Sequence, residues 1–441
     1  MKTLHVFHHS NLLNGVDRTT LTLVRALTRQ GVAVHALVPR PGDVTAALMQ
    51  MGVPYRVADL GCCAGPAKLA ELAYLSRTAS RAREIEEWVR EELFDLVHIN
   101  TGHVLDAAIA AARSGVPAIW HIHAPFEVDF ERYSGFMAPE GYAWLLGELG
   151  CHVIAVSDDV RASLLPHLPA DKVSTLYNGI DVDDLESRAR EDPTSIRAEL
   201  GLSPDTPLVT GVGRISGQKD FATFVRVANR VVASHPRACF VIAGPAEDRA
   251  LARALEEQVT ALGLSHRVFI LGPRNDVPTL LSQSNAFLST AIFEGQGLAA
   301  LEALVLGRPV VAMGCVGLRE CLRHEVDSLV VPLGDEGECA AAVERLLADD
   351  GLARTLAARG RDSVVERYSA TAYAAGFLSI AEAVLARHRP KSNVGVASFA
   401  LGLLDEIQEI HSRLLPARRS QRGLARRLAA RCRDLFGRAE S

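Results

Sequence analysis

Two glutamates separated by seven residues are the side chains best placed to do chemistry in this chain. Glu294 and Glu302 lie in the string FEGQGLAALEAL, with Gly295 and Gly297 between them. The glycines permit a tight turn in which backbone can approach a ligand, and the apolar run from Leu298 predicts a helix whose first amides lack helical partners. Such a turn favours binding of a diphosphate. The alternative is a helix N-terminus that merely favours acidic residues through its dipole.

Two cations follow an earlier strand-like run, in the string PLVTGVGRISGQKDF. Arg214 and Lys219 lie in its glycine-rich turn, where they would stabilise the charge that develops on a leaving diphosphate without a metal ion. A solvated Arg and Lys in a surface turn is the alternative for either residue alone. A dinucleotide-binding fingerprint is disfavoured, because the third glycine comes one position late and the next strand, CFVIAG, ends without an acidic residue for a ribose.

A pair of histidines ends another strand-like run, VPAIWHIHAPF. One residue separates His121 from His123 along this strand, which places both side chains on one face. An isolated histidine at a strand end is more often structural, and two histidines in this spacing can also bind metal. His98 and His103 lie on a neighbouring strand and loop, but no nearby carboxylate or Cys completes a ligand spacing. We therefore expect no metal site.

The elements that position these residues form two series in which strands alternate with helices. This alternation implies parallel sheets built by right-handed crossovers. The first series has strands Leu4–His8, Ala33–Val38, Leu96–Ile99, Ala118–His121 and His152–Val156, with helices Thr19–Gln30, Lys68–Leu93 and Val104–Ser114. The second has strands Leu208–Val212, Cys239–Ala243, Val268–Leu271, Ala286–Ser289 and Val310–Ala312, with helices Phe221–Ser234, Arg249–Leu262, Val277–Gln283 and Leu298–Leu306.

The composition fits two globular α/β domains. The 441 residues are about three times the ~150 residues of one domain. Residues 181–207 are charged and contain three prolines, as is typical of an interdomain connection. The eight cysteines form no CxxC pair, which favours a reducing compartment. Neither a signal peptide nor a membrane-spanning run is apparent, so we expect a cytoplasmic protein with at most peripheral membrane contact.

Over roughly residues 1–385, these strings resemble retaining glycosyltransferases of the GT-B fold, particularly glycosyltransferase family 4 (glycosyl transferases group 1). The glutamate pair resembles the family's EX7E motif. The resemblance implies two facing, doubly wound Rossmann-like domains with a ligand crevice at the carboxyl ends of their strands. The implied enzyme moves a sugar from a UDP- or GDP-sugar to a hydroxyl of a glycan or lipid-linked acceptor, with retention and without a metal ion or cofactor.

The resemblance also implies residue roles. Glu302 would bind the ribose hydroxyls of the donor, Glu294 would face the transferred sugar, and His123 would hydrogen-bond a donor hydroxyl near the reacting carbon. The implied catalytic residues are His123, Arg214, Lys219 and Glu294. The implied donor-binding residues are Gly15, Arg214, Lys219, Arg274, Glu294, Gly295, Gly297, Leu298 and Glu302.

Two of these assignments rest on weaker matches. The string NLLNGVDRTT resembles a GGVER-type loop, in which the amide of Gly15 would approach the diphosphate and Asn14 replaces the first glycine. Asn tolerates left-handed conformations better than most residues. The string VFILGPRNDV would line the nucleobase pocket, largely through backbone around Gly272 and Arg274. The alternatives are a phosphorylase or epimerase on a related scaffold, and a sugar-nucleotide-binding scaffold without turnover, which only the Asn14 departure supports.

We predict an acceptor-side domain over 1–185, a donor domain over 200–365, a helix over 366–388 that crosses back to the first domain, and a basic helical extension over 389–441. An aromatic-rich segment at 126–144 would hold an acceptor or form a hydrophobic cluster. The first part of the extension has apolar residues at helical spacing, which would cover the body of the protein or a partner.

Residues 387–441 hold 12 Lys and Arg against 5 Asp and Glu, in a chain of net charge −5. The segment 417–441 has an apolar stripe among many arginines. Such a stripe is typical of a helix on an anionic membrane surface, and equally of a solvated helix or a partner contact, whereas nucleic acid is the least favoured ligand.

Overall fold

The computed structural model describes residues 1–12, 15–60, 68–131, 138–192, 194–389 and 394–414. These residues divide into two compact units. Unit 1 comprises Met1–Tyr177 together with the described residues from Tyr373 onward, and unit 2 comprises Asn178–Ala372.

Each unit is built on a parallel sheet. In the described residues, unit 1 has a seven-stranded sheet of order β3-β2-β1-β4-β5-β6-β7, and unit 2 has a six-stranded sheet of order β10-β9-β8-β11-β12-β13. The strands of unit 1 are β1 Lys2–Val6, β2 Ala33–Val38, β3 Tyr55–Val57, β4 Leu96–Ile99, β5 Ala118–Ile122, β6 His152–Ala155 and β7 Val173–Thr175. Those of unit 2 are β8 Leu208–Val212, β9 Cys239–Ala243, β10 Val268–Gly272, β11 Ala286–Ser289, β12 Val310–Met313 and β13 Leu329–Val331.

Helices follow most strands. The first set is α1 Gly15–Arg29, α2 Asp43–Gln50, α3 Lys68–Glu92, α4 Leu105–Arg113, α5 Phe126–Glu131, α6 Pro139–Leu149 and α7 Asp158–Leu164, with a 3-10 helix at Ala170–Lys172. The second set is α8 Val182–Glu191, α9 Ile196–Glu199, α10 Phe221–Ser234, α11 Arg249–Ala261, α12 Val277–Ser282, α13 Leu298–Val305, α14 Leu318–Cys321, α15 Glu336–Ala348 and α16 Asp350–Tyr368. The last two are α17 Ala370–Arg387 and α18 Val394–Leu414.

The predicted fold class is confirmed in both units. In each sheet the first strand of the unit lies in the interior. The next two strands extend the sheet on one side of it, and the later strands extend the sheet on the other side. This is the doubly wound Rossmann-like arrangement, in which ligands bind beyond the carboxyl ends of the strands. Its central strands are covered on both faces: β5 and β9 are buried along their whole length.

The boundary between the units lies earlier than predicted. The segment expected to connect two domains begins with α8, which packs against α12 in unit 2. Asp181 caps α8 because its carboxylate accepts the amide of Asp184 at 3.3 Å, and Arg188 donates to the carbonyl of Asn275 at 2.9 Å. The charged, proline-containing composition of this segment reflects a surface helix of unit 2 rather than an open linker.

The helix predicted over 366–388 is interrupted at Ser369. The backbone of Ile180 lies alongside this point: its amide donates to the carbonyl of Tyr368 at 2.7 Å, and its carbonyl accepts the amide of Ala370 at 3.0 Å. Because Ile180 hydrogen-bonds to these two backbone groups, α16 ends at Tyr368 and α17 begins at Ala370. From Tyr373 onward α17 belongs to unit 1, where Phe377 is buried.

The first part of the C-terminal extension covers the body of unit 1, as predicted. Helix α18 packs on α3 and α4, and Ala397, Leu401 and Leu404 are buried in the unit 1 core. A hydrogen bond of 2.5 Å joins Arg83 to Asp405 at the rim of this contact. Among the residues described, no helix is both long enough and apolar enough to cross a membrane. The basic segment 417–441 lies outside the described residues.

The aromatic-rich segment forms parts of α5 and α6. Phe126 stacks on His167 with ring centroids 3.8 Å apart, and the Tyr142 hydroxyl donates to the carboxylate of Asp129. Trp144 packs against the same unit 1 core. These contacts favour the hydrophobic-cluster interpretation for this part of the segment; residues 132–137 lie outside the described residues.

We expect Leu401→Ala to lower the free energy of unfolding of unit 1 by about 2–5 kcal/mol, because it leaves a cavity beneath α18. Urea unfolding followed by circular dichroism measures the change. Met49→Ala, at a side chain that is 61% exposed on α2, is the control and should change stability little. Equal stability of the Leu401 variant and the wild type would show that α18 does not contribute to the core.

Candidate functional site

The predicted donor-binding residues of unit 2 lie at the carboxyl ends of its strands. Arg214 and Lys219 lie in the turn between β8 and α10, and Glu294 and Gly297 lie between β11 and α13. Gly297 caps α13 in the left-handed conformation, with φ +80°, and a Cβ atom there would lie 2.2 Å from the side chain of Leu318. Only glycine fits this position.

The structure brings Lys219 and Glu294 into contact. The Lys219 ammonium donates to a carboxylate oxygen of Glu294 in a close ion pair. The two side chains are 20% and 11% exposed, so water screens their attraction less than it would on an open surface. A cation and an anion are thus held together beside the N-terminus of α13.

Backbone contacts hold the two loops that carry this ion pair. The carbonyl of Gln218 accepts the amide of Ile292 at 2.9 Å, and its side-chain amide donates to the carbonyl of Phe293 at 3.1 Å. The hydroxyl of Thr290 donates to the carbonyl of Asp220 at 2.9 Å. Both neighbours of the lysine are therefore bonded to the loop that carries the glutamate.

The ends of β8 and β9 approach each other closely beneath the side chain of Lys219 and restrict its position. Gly213 follows β8 with φ +154° and Gly244 follows β9 with φ +149°, and a Cβ atom on Gly244 would lie 2.0 Å from the carbonyl oxygen of Gly213. A Cβ atom on Gly213 would lie 2.8 Å from the side chain of Lys219. The stem of the lysine therefore lies directly over glycine backbone, where no larger residue fits.

Helix α13 begins without a side-chain cap, because Gly297 provides none. The amides of Ala300 and Leu301 donate to the carbonyl of Gly297, whereas those of Leu298 and Ala299 have no partner within the helix. Together with the helix dipole, such amides favour an anion. Leu298 starts the helix, and Glu302 is buried about one turn further along. Gly295 lies between the paired Glu294 and this turn; its contact with the donor stays a prediction.

Two other predicted residues lie in different surroundings. The side chain of Arg214 is 48% exposed, and its Nη1 atom lies 4.0 Å from Glu247. Arg274 donates to both Glu199 and Asp276 over distances of 2.6–2.9 Å. These carboxylates raise the pKa of the guanidinium above its usual value. A side-chain contact of Arg274 with a donor would have to displace these ion pairs, whereas the backbone contact near Gly272 needs no such exchange.

In unit 1, the structure links His123 to the turn at Gly15. The Nε2 atom of His123 lies 2.8 Å from the side-chain oxygen of Asn100, and the Asn100 amide donates to the carbonyl of Val16 at 3.0 Å. The ring is partly exposed, and the packing around it lowers the pKa of His123 to about 4, while Asp129 and Asp17 act in the opposite direction. His123 is therefore neutral at pH 7.

Sequence reasoning missed two residues of this network. Asn100 directly follows β4, and a polar residue at the carboxyl end of a buried strand was the available signal. Asp17 is fully buried in α1, and one of its oxygens accepts the amides of His8 and His9 at 3.0 and 3.1 Å. Its partners follow the preceding strand, so local sequence gave no signal for this contact.

Within the described parts of the chain, no group of three or more His, Cys, Asp or Glu side chains is arranged to hold a metal ion. The expectation of a metal-free site stays a prediction. Asn14 lies outside the described residues.

Family models match both units. Residues 206–349 match the model described as "Glycosyl transferases group 1", and residues 13–184 match the model described as "Glycosyltransferase Family 4". The first match contains every predicted donor residue of unit 2, and the second contains Gly15 and His123.

This chain is also similar to individual glycosyltransferases and to solved structures. Alpha-D-kanosaminyltransferase of Streptomyces kanamyceticus is 31% identical over 270 residues, which cover 58% of this chain and 68% of that protein. UDP-Gal:alpha-D-GlcNAc-diphosphoundecaprenol alpha-1,3-galactosyltransferase of Escherichia coli is 24% identical over 81% of this chain and 91% of its own length. The crystal structure of Anabaena HepE in complex with UDP-glucose is similar in fold, with a TM-score of 0.71 and 21% identity over 87% of this chain and 100% of that one.

We expect the stability of unit 1 to fall as the pH falls below about 6.5. Burial lowers the pKa of His5 to about 3 and the pKa values of His98 and His121 well below the usual 6.5. In this range the unfolded chain binds protons that the folded chain does not, so each group removes up to about 1.4 kcal/mol per pH unit.

Calorimetric unfolding at pH 7.5 and pH 5.5 measures this effect. His5→Leu removes one of the three groups and should make the pH dependence shallower. A wild-type stability that is constant or rises between pH 7.5 and 5.5 would contradict the burial of neutral imidazoles.

Proposed function

Because this chain belongs to glycosyltransferase family 4, we propose that it transfers a sugar from a UDP- or GDP-sugar to a hydroxyl of a glycan or lipid-linked acceptor, with retention at the anomeric carbon. The observation that carries this proposal is the Lys219–Glu294 ion pair beside the uncapped N-terminus of α13. It combines a fixed cation, a fixed carboxylate and free amides, which are the groups that a sugar diphosphate requires.

The diphosphate would bind at the N-terminus of α13. The amides that follow Gly297 would donate to its oxygens, and Lys219 would neutralise the charge that grows on the leaving nucleoside diphosphate. Arg214, which is exposed and has one carboxylate 4.0 Å away, would turn to the same group. Because Lys219, Arg214 and these amides would stabilise the leaving charge, we propose that the reaction needs neither a metal ion nor a cofactor.

The two glutamates would contact the parts of the donor on either side of the diphosphate. Glu302 is buried one turn into α13 and would accept hydrogen bonds from both ribose hydroxyls. Glu294 lies before this helix and would face the transferred sugar. In unit 1, the neutral ring of His123 would hydrogen-bond a hydroxyl of that sugar, and the amide of Gly15 would approach the diphosphate.

The relatives support the choice of substrates. The solved HepE structure contains UDP-glucose, and the Escherichia coli relative is named for transfer from UDP-Gal to a diphosphoundecaprenol-linked sugar. A UDP-sugar donor and a lipid-linked glycan acceptor are therefore the first substrates to test.

We expect the protein to hydrolyse one donor slowly in a panel of UDP- and GDP-sugars without any acceptor, because water replaces the acceptor hydroxyl. The released nucleotide is measured by chromatography, with and without EDTA. Equal rates with and without EDTA are expected. Loss of hydrolysis with EDTA would contradict the metal-free mechanism, and nucleotide-sugar binding without any release would favour a scaffold over an enzyme.

We expect Glu302→Ala to weaken nucleoside-diphosphate binding about tenfold or more, because it removes charge-assisted hydrogen bonds to the ribose. Glu294→Ala should instead lower the turnover number by about 10²-fold, as loss of one preorganised group in an active site does. Calorimetric titration and donor hydrolysis measure the two effects. Glu257→Ala, at an exposed position on α11, is the control. Unchanged nucleotide affinity of the Glu302 variant would remove its assignment.

We also propose that the basic segment 417–441 holds the enzyme at an anionic membrane surface, close to a lipid-linked acceptor. Eight arginines lie in this segment, from Arg418 to Arg438. Each arginine near an anionic surface contributes on the order of 1 kcal/mol, so half of them suffice for reversible binding.

A chain truncated after Pro416 should still hydrolyse the donor but should no longer sediment with anionic liposomes at low salt. High salt should release the full-length protein, because salt screens exposed charges. Neutral liposomes are the control. Equal sedimentation of both chains with anionic liposomes would show that the segment contacts solvent or a protein partner instead.

A further inference from the structure

Three buried histidines form a continuous hydrogen-bonded row across the sheet of unit 1. His5 on β1, His98 on β4 and His121 on β5 make up this histidine row. The Nδ1 atoms of His5 and His98 lie 3.0 Å apart, and Nε2 of His98 lies 3.1 Å from Nδ1 of His121. At the other end, the hydroxyl of Thr3 lies 3.1 Å from Nε2 of His5.

The row departs from what a parallel sheet normally contains. Strands buried on both faces are usually rich in Val, Ile and Leu, yet all three rings of the row are fully buried. Phe377 of α17 covers His5 and His98, with ring centroids 5.5 and 5.0 Å away, and Tyr373 lies 6.1 Å from His121. Burying polar rings is costly unless they are hydrogen-bonded, so packing alone does not account for them.

The row ends on the residue proposed to contact the sugar. The ring of His121 stacks on that of His123, with centroids 4.6 Å apart and planes inclined by 25°. Asn100 binds the edge of the His123 ring at 2.8 Å. His123 is thus held on one face by the row and at one edge by Asn100.

The hydrogen-bond partners restrict the protons of the row and fix the proton of His123. A neutral imidazole has one donor and one acceptor nitrogen, so the protons of the row must all point in one direction. The Asn100 amide donates to the carbonyl of Val16, which leaves its oxygen to accept from Nε2–H of His123. The Nδ1 atom of His123 therefore carries a lone pair that can accept a hydroxyl proton in a hydrogen bond.

We propose that His98 and His121 are positioning residues, which hold the ring of His123 in the orientation that keeps its Nε2 atom on Asn100 and leaves Nδ1 to bind a hydroxyl of the transferred sugar. The proposal rests on the proposed function, since it assigns His123 to the sugar. His98 acts indirectly, because it hydrogen-bonds to the ring of His121, and His121 in turn stacks on the ring of His123. His5 and Thr3 complete the hydrogen bonds of the far end.

The test compares variants of the row with a histidine outside it. His98→Leu breaks the row in the middle, and His98→Gln keeps a donor and an acceptor there. The triple variant His5→Leu/His98→Leu/His121→Phe replaces the row by apolar side chains and leaves no imidazole of the row unpaired. His152→Leu is the matched control: this buried ring on β6 bonds to Ser174 at 2.8 Å and lies outside the row.

Donor hydrolysis gives the kinetic readout, with UDP-glucose or the donor that the panel selects. We expect His98→Leu and the triple variant to lower kcat by about 10- to 100-fold with little change in the donor KM, the scale of a misplaced catalytic contact. His98→Gln should recover most of the loss, and His152→Leu should match the wild type. Melting temperatures identify any variant that fails to fold.

The ¹⁵N resonances of His123 give a second readout that requires no donor. The wild type should show a single tautomer, protonated at Nε2. The triple variant should show a mixture of tautomers, because a ring that can turn away from Asn100 loses the hydrogen bond that fixes its proton. A folded triple variant with wild-type kcat and an unchanged His123 tautomer would overturn the proposal. If the wild type hydrolyses no donor, the proposed function fails, whereas the tautomer measurement still decides whether the row positions His123.

Discussion

The Lys219–Glu294 ion pair is the interaction on which the candidate site of unit 2 depends. It exists because three loops approach one another more closely than side chains normally allow, and glycines make this possible. Gly213 and Gly244 bring two strand ends into backbone contact below the lysine, and Gly297 turns the chain into α13 beside the glutamate. The fixed charges at the head of this helix therefore follow from backbone sterics as much as from electrostatics.

The candidate binding groups of the two units differ in charge. Unit 2 presents charge: an ammonium, carboxylates and uncapped amides gather at the carboxyl ends of its strands, as suits a doubly charged diphosphate. Unit 1 keeps the ring of His123, which is proposed to contact the sugar, neutral, because burial lowers its pKa. Asn100 determines which ring nitrogen carries the proton. A neutral ring suits a sugar hydroxyl, which offers a hydrogen bond rather than a charge. The histidine row extends this control into the sheet.

Local sequence predicted the elements that local physics determines. The strand Leu208–Val212 and the helix Phe221–Ser234 have the predicted bounds, since their apolar periodicity and flanking turns lie within one window. Strands of three residues, such as Leu329–Val331, were missed because so short a run shows no periodicity. The break at Ser369 was also missed, because Ile180, which causes it, is distant in sequence. The EX7E spacing located α13, whereas the Lys219–Glu294 contact spans 75 residues and required the fold.

The proposed function depends on binding of the donor diphosphate by Lys219 and the N-terminus of α13. Calorimetric titration of the wild type and Lys219→Ala with UDP and with uridine tests it most directly, with GDP and guanosine as the matched pair if the donor panel selects guanine. Loss of the lysine should weaken UDP binding about tenfold or more and leave uridine binding unchanged, because only UDP carries the phosphates that a cation recognises. An equal loss of affinity for both ligands, or no loss for either, would contradict the account.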